Sequence, residues 1–296
     1  MDPDMFTKPF QLTKAMRRDL YPAVDPHNPN LSAKGKVVIV TGAGGGIGSS
    51  VAKAWAQADA EAILLVGRTA SKLEVVAKEV GPRSVVNVTD MTSEKDVESL
   101  FKTVQAKYGR LDALINAAGS GHPGLTIAEI EPSDWWQDYE ATMKATFLAT
   151  HFYAKFFNGS GTIINVVSIA ALIPKPKISS YSSAKLSQIK FGELVGLEFP
   201  DLRVFSVHPG IVEPENGRGI DIPGIEPFAK DKAILTGGLS LFLATAKVDR
   251  LAGMFLSVNW DIDEVMEHLD EIVEKGLLKP VGIRAQLGPG GHPWSK

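Results

Sequence analysis

Tyr181 and Lys185 stand four residues apart in Tyr181-Ser182-Ser183-Ala184-Lys185, and Ser168 precedes the tyrosine by thirteen residues. Positions i and i+4 share one face of a helix, so this spacing predicts a lysine ammonium beside a phenol. A positive charge there favours phenolate and lowers the phenol pKa from its ordinary value of about 10. A phenol tuned in this way can give or take a proton near neutrality. The Ser168 hydroxyl could hold a substrate oxygen beside it. The chemistry indicated is proton transfer at a carbonyl or alcohol oxygen. Alone, a Tyr-x-x-x-Lys spacing more often marks a plain helix surface; further motifs give it weight.

The first of these is Thr41-Gly42-Ala43-Gly44-Gly45-Gly46-Ile47-Gly48, placed after an apolar run at residues 37–40 and before a helical pattern. Glycines let a backbone approach a pyrophosphate, and a helix N-terminus offers it unpaired N–H groups. The alternative is a tight strand-to-helix turn without a ligand. A second apolar run, residues 62–66, ends in Gly67-Arg68. Folds that prefer NAD usually carry an acid where Gly67 stands, for the ribose 2′-hydroxyl. A guanidinium at Arg68 suits a 2′-phosphate, so NADP(H) is expected over NAD(H). Asp90 follows the third run and could accept from an adenine amino group or serve as a turn residue. Asn116-Ala117-Ala118-Gly119 leaves room for a ribose, or Asn116 braces neighbouring strands.

The elements that must position these residues follow from periodicity. Runs at 37–40, 62–66, 84–88, 111–115, 162–167, 203–207 and 254–258 are rich in Val, Ile and Leu, as strands buried on both faces are. Helical patterns lie between them at 47–58, 71–80, 93–107, 133–157, 179–198 and 231–246, with Ser93 as an N-cap. Alternating units of this kind predict a single α/β domain, a Rossmann-like doubly wound parallel sheet of about seven strands. Ligands of such sheets bind beyond the carboxyl ends of the strands, where these motifs fall.

These motifs resemble the short-chain dehydrogenase/reductases, over about residues 36–279: TGAGGGIG, NAAG, Ser168, YSSAK and His208-Pro209-Gly210. The flanking YPAVDP…LSAKGK and FLSVNWDIDEV resemble a fungal-type branch. The resemblance implies Tyr181 as general acid/base and Lys185 binding the nicotinamide ribose. It implies that Ser168 orients the carbonyl, Asp90 touches adenine and Asn116 supports the ribose side. Together, motifs and resemblance mark Thr41, Gly42, Gly44, Gly46, Ile47, Gly48, Arg68, Asp90, Asn116, Ala117, Gly119, Tyr181, Lys185, Pro209, Gly210 and Val212 as cofactor-binding. Thr142 replaces the family's usual asparagine, which helps hold a relay water. A helical threonine tends to bond back to the carbonyl four residues earlier. Pro214 replaces a threonine that binds the carboxamide. These departures leave room for redox-neutral chemistry (dehydration, isomerisation, cyclisation) or a non-catalytic NADP-binding role beside the leading expectation. That expectation is an NADP(H)-dependent oxidoreductase acting on a carbonyl or secondary alcohol, of the kind used in secondary metabolism.

The chain of 296 residues divides into an N-terminal extension (1–34), the main domain (35–288) with a substrate lid at about 211–232, and a tail (289–296). The extension is expected to be a surface arm, with Phe6, Phe10 and Leu20 able to dock. Residues 172–180 should line the pocket. Ile211, Ile220, Ile222, Ile225 and Phe228 suit a bulky, mostly apolar small-molecule substrate or a lid packed on itself. His122 either faces the pocket or is solvated, and His208 is expected to be packed. With net charge −3 and no cysteine, no basic field holds nucleic acid, and disulfides, thiol nucleophiles and cysteine-held metals are excluded. The histidines show no metal spacing. No run approaches the roughly 18 apolar residues of a membrane span, and residues 1–22 lack the apolar centre of a secretory leader. A cytoplasmic protein without a membrane partner is expected. In the resembled family the 133–157 and Tyr181 helices often form a dimer seam. Ala184, Leu186, Ile189, Leu194 and Leu197 add an apolar set, so a homodimer or homotetramer is expected.

Overall fold

The computed structural model describes residues 2–212 and 224–280. Seven strands form one all-parallel sheet: β1 (Val37–Thr41), β2 (Ala62–Gly67), β3 (Ser84–Val88), β4 (Ala113–Asn116), β5 (Gly161–Val166), β6 (Leu202–His208) and β7 (Phe255–Ser257). Their order is β3-β2-β1-β4-β5-β6-β7. The order reverses between β1 and β4, which pair with Thr41 opposite Asn116. That switch point is where such sheets open a crevice for a ligand.

Successive side chains of a strand point to opposite faces. In β1, Val38 and Val40 enter one core, with Val51 and Trp55 of α1 (Gly46–Gln57) and Leu73 of α2 (Ala70–Val80). Val37 and Ile39 enter the other, with Phe101 of α3 (Glu94–Tyr108) and Phe152 and Tyr153 of α5 (Ala145–Phe156). Both faces are thus dry, which is why the strands read as unbroken apolar runs. Ser93 caps α3 by accepting from Asp96 N at 3.4 Å, as expected.

The pattern at 133–157 is not one continuous helix. It forms α4 (Pro132–Tyr139), a single π turn (Glu140–Lys144) and α5. A π turn accommodates one extra residue without ending the helix, and such turns cluster at functional sites. Farther on lie α6 (Ser179–Glu198), α7 (Ile234–Leu243), α8 (Ile262–Glu267) and α9 (Leu269–Lys275). The helix expected from 231 begins at Ile234 because Asp231 is held elsewhere, as described below.

The arm differs most from expectation, for its described residues are built into the body. Tyr21, Val24 and Leu31 are buried. A Cβ on Gly238 of α7 would meet the Val24 carbonyl at 2.0 Å, so only glycine admits the arm there. Arg17 N donates to Asn259 O at 2.8 Å, and Trp260 Nε1 donates to Phe10 O at 2.8 Å. Arg17 forms an ion pair with Asp261, and Arg18 one with Asp231 at 2.8 Å. Phe6 packs edge-on against Phe228 at 4.7 Å, while Lys175 Nζ stands 5.5 Å from the Phe6 ring centroid. The composition of the arm hid this docking because its partners are polar groups more than two hundred residues away. Among the described residues no helix is long and apolar enough to cross a membrane.

Candidate active site

The glycine turn leaves β1 at Gly42 with φ +65°. A Cβ there would stand 2.7 Å from the Ala117 carbonyl, and one on Gly48 would stand 2.4 Å from the Gly42 carbonyl. These two glycines therefore let three pieces of backbone meet. Gly45 caps α1 with no side-chain hydrogen bond, which leaves the first-turn N–H groups of Gly46, Ile47 and Gly48 for an anion. Gly44 packs over α2, its Cβ position 3.1 Å from Lys72 Cβ. Thr41 Oγ1 accepts from Ala117 N and Ala118 N at 3.2 and 3.1 Å and donates to Ile115 O at 3.3 Å. The switch point is sewn together by one hydroxyl. An uncapped helix start beside a strand-end crevice fits a dinucleotide.

Arg68 is exposed just past β2. Asp90 holds its own turn, Oδ1 accepting from Thr92 N at 3.0 Å and Thr92 Oγ1 at 2.8 Å. The Thr92 N–H, then its hydroxyl and the Arg68 charge, hold the Asp90 carboxyl below the ordinary carboxylate value. The turn role is therefore present. Asn116 Nδ2 donates to Asn165 Oδ1 at 2.9 Å across β4 and β5, both side chains buried, which is the bracing role.

Past β5, Ser168 is 9% exposed and accepts from Ala170 N at 3.2 Å. The Ser168 hydroxyl also acts on the Tyr181 phenol of α6, drawing its pKa down. Lys185, one turn on, is 5% exposed; its Nζ donates to Val166 O at 2.6 Å and lies 5.9 Å from the Tyr181 ring centroid. The spacing thus brings serine, tyrosine and lysine together. The expected lowering of the phenol pKa is not what the structure gives. Burial pushes the phenol up, with only the Ser168 hydrogen bond opposing it, and burial pushes Lys185 down to about 7. In so dry a site the cost of holding a charge dominates both groups.

Thr142, in the π turn, is fully buried, and its hydroxyl has no partner. It does not bond back four residues, because the π turn shifts the ladder. A Cβ on Gly119 would stand 3.2 Å from Thr142 Oγ1 and 3.5 Å from Lys185 Nζ, so these three positions converge. The Thr142 carbonyl accepts from Thr146 Oγ1 at 2.8 Å, and Gln188 Nε2 donates to Thr146 Oγ1 at 2.6 Å.

Pro209 and Gly210 follow β6. Gly210 has φ +78°, and a Cβ on it would stand 2.3 Å from Asp231 Oδ2. Ile211 N donates to that oxygen at 2.6 Å, and Val212 bridges to Asp231. Asp231 is fully buried; Arg18 and Asn259 Nδ2 each donate to Oδ1 at 2.8 Å, and burial raises its carboxyl pKa. Asp231 thus shapes the turn beside the site, a role no motif announced. His208 is packed, its Nδ1 accepting from Ile169 N at 3.3 Å, and burial lowers its pKa to about 4, so it is neutral. Pro214, Ile220 and Ile222 lie outside the described residues; of the other lid residues, Phe228 is buried against Phe6.

Fold and site together define a dinucleotide-dependent oxidoreductase of the Rossmann type. Residues 36–221 match the family model described as short chain dehydrogenase. The chain belongs to the short-chain dehydrogenase/reductase family, whose cofactor is a nicotinamide dinucleotide. It is 32% identical over 273 residues to the short chain dehydrogenase mpl6 of Monascus purpureus, covering 88% of this chain and 92% of that one. It is 30% identical over 288 residues to the short chain dehydrogenase pigC of Monascus ruber, covering 91% and 93%. Among solved structures it is similar to a 7 alpha-hydroxysteroid dehydrogenase complexed with NADH and 7-oxo glycochenodeoxycholic acid. The TM-score is 0.70 at 26% identity, covering 78% of this chain and 95% of the other.

Proposed function

We propose that this chain is an NADPH-dependent reductase of a ketone or aldehyde on a bulky, mostly apolar small molecule, with Tyr181 as proton donor. The observation that carries the reading is the grouping of Ser168, Tyr181 and Lys185, whose ammonium lies 5.9 Å from the Tyr181 ring centroid, at the strand ends beside an uncapped helix start. The cofactor supplies a hydride to the carbonyl carbon. Ser168 and Tyr181 hold the carbonyl oxygen between two hydroxyls, and Tyr181 gives it the proton as charge develops there. A phenol kept protonated by burial suits this direction. Lys185, charged on the acid side of about 7, offsets the phenolate left behind. The α1 N-terminus takes the pyrophosphate, and the Gly210 turn faces the nicotinamide. Loss of absorbance at 340 nm from NADPH, across a panel of aryl and alicyclic ketones, tests the assignment. No oxidation with any of them overturns it.

Arg68 carries the cofactor preference. Its guanidinium is exposed, so a 2′-phosphate is a charge-assisted partner. Arg68→Ala weakens NADPH binding about 10–150-fold and NADH binding little, by the worth of one such contact. Fluorescence titration of both cofactors measures this. Equal affinity of the unaltered protein for NADH and NADPH overturns the preference.

Self-association is read from α5 and α6. Ala184 and Ile189 are buried in the chain's own core, so they leave the apolar set expected to be spare. Phe147, Leu186, Leu194 and Leu197 remain exposed, Leu197 at 78%. A cavity of about 310 Å³ between these helices is lined by Phe147, His151, Phe191, Val195 and Phe199. An apolar face of this kind is covered in a dimer or tetramer. Light scattering at micromolar concentration gives twice or four times the chain mass; a monomer contradicts the reading.

A further inference from the structure

Asp138, on α4, is fully buried and accepts four hydrogen bonds. Ser120 Oγ donates at 2.9 Å, Ser180 Oγ at 2.7 Å and His122 N at 2.8 Å; His122 Nδ1 lies at 2.9 Å. Ser120 and His122 flank Gly121, the residue of the loop after β4 that meets Tyr181. Ser180 is the chain neighbour of Tyr181. A Cβ on Gly121 would stand 3.2 Å from Tyr181 Cδ2, so the loop after β4 lies directly on the phenol ring. His122 is the next residue. Its side chain is 42% exposed while its carboxylate partner is wholly covered.

Ser120 Oγ, Ser180 Oγ and His122 N all donate to Asp138, so Asp138 is the acceptor of this cluster and takes the Nδ1–H of the ring as its fourth donor. The bond one ring nitrogen makes sets the state of the other, which leaves Nε2 of a neutral ring as a bare acceptor. Nε2 has no hydrogen-bond partner among the described residues. Ser120, Ser180 and the His122 N–H already tie the loop to α4 and α6. The bond to Nδ1 adds only an orientation and a tautomer for an imidazole on the loop that covers the Tyr181 ring. The proton transfer described above makes no use of it.

We propose that His122 Nε2 binds the substrate, accepting a hydrogen bond from a hydroxyl that the substrate carries besides its reacting carbonyl. Asp138 is its positioning residue. The substrate class is then a hydroxy ketone or hydroxy aldehyde, in which a free hydroxyl, and not its ether, is selected. This rests on the reading of Tyr181 as the group that meets the carbonyl.

The test uses binding, so that it stands apart from turnover. The unaltered protein, saturated with oxidised cofactor, is titrated calorimetrically with 2-, 3- and 4-hydroxyacetophenone and with the matching methoxy compounds. At least one hydroxy compound binds about 5–50-fold more tightly than its ether, the range of one hydrogen bond to a partner otherwise left unpaired. His122→Ala removes that preference and leaves the ether's affinity where it was. His122→Gln, which keeps an acceptor oxygen, restores part of it. Asp138→Asn reduces the preference by releasing the tautomer. No preference in the unaltered protein, or equal weakening of both ligands in His122→Ala, overturns the proposal. NADPH turnover with the same ketones is followed in parallel. Selective binding without turnover sinks the reductase reading alone; turnover without selectivity sinks this inference alone.

Discussion

Tyr181→Phe lowers ketone reduction by about 10²–10⁴-fold, the usual worth of a positioned proton donor, and leaves NADPH binding nearly unchanged. The substitution keeps the ring against Gly121 and removes one hydroxyl. Ser168 keeps the hydrogen bond from Ala170 N at 3.2 Å, so the loop after β5 stays in place. The loss therefore appears in kcat/KM for the ketone, since the phenol both holds the carbonyl oxygen and gives it the proton, while cofactor affinity by fluorescence titration moves less than about threefold, the span of a single weak contact. Unchanged turnover would assign the proton to another group.

Lys185→Met separates stability from activity. The methionine side chain matches the lysine stem in length and carries no charge. In the native protein Lys185 is 5% exposed, and its one hydrogen bond is to the Val166 carbonyl. Burial holds its pKa at about 7, well below the ordinary 10.5 of a lysine. The unfolded chain therefore binds this proton more readily than the folded one. The resulting penalty on the fold is full below pH 7 and fades as pH rises toward 10.5. Lys185→Met removes it, so the melting temperature of the variant exceeds that of the parent at pH 6, and the gap narrows at pH 9. Turnover falls by about 10²–10³-fold, the scale for losing one charge at a developing anion. In the parent, reduction slows as pH passes upward through about 7 and the ammonium is lost; in the variant that inflection is absent. Calorimetric melts and pH–rate profiles read both halves. A variant less stable than its parent at pH 6 would show that the lysine holds the site together.

The sheet was legible because both of its faces are dry. All seven apolar runs became strands, even the partly exposed Ser84–Val88 at the edge. The Tyr-x-x-x-Lys spacing located a real cluster because i and i+4 neighbours are a property of any helix. Its electrostatics were not legible, since charge proximity can be read from spacing and desolvation cannot. The break at Glu140–Lys144 left no mark either, because the residues on both sides are good helix formers and the extra residue of a π turn resembles a small phase drift. Asp138 stands among Gln137, Tyr139 and Glu140, where an acid looks solvated. Only the tertiary approach of the loop after β4 makes it the centre of a network. Asp231 was hidden in the same way, by partners at Arg18 and Ile211.

The docked arm bears on the order in which the chain can be completed. Phe10 and Trp260 are 250 residues apart, Arg17 and Asp261 are 244, and Arg18 and Asp231 are 213. The arm is made more than two hundred residues before its acceptors. While β1 to β6 assemble, the guanidinium groups of Arg17 and Arg18 stay in water and the groove over Gly238 does not yet exist. The arm closes only once residues 231–261 are present, joining segments far apart in the nascent chain. Asp231, which shapes the Gly210 turn, gains its cation at the same moment. A chain that still lacks residues 231–261 can therefore hold β1 to β6 while the turn at Gly210 is unset.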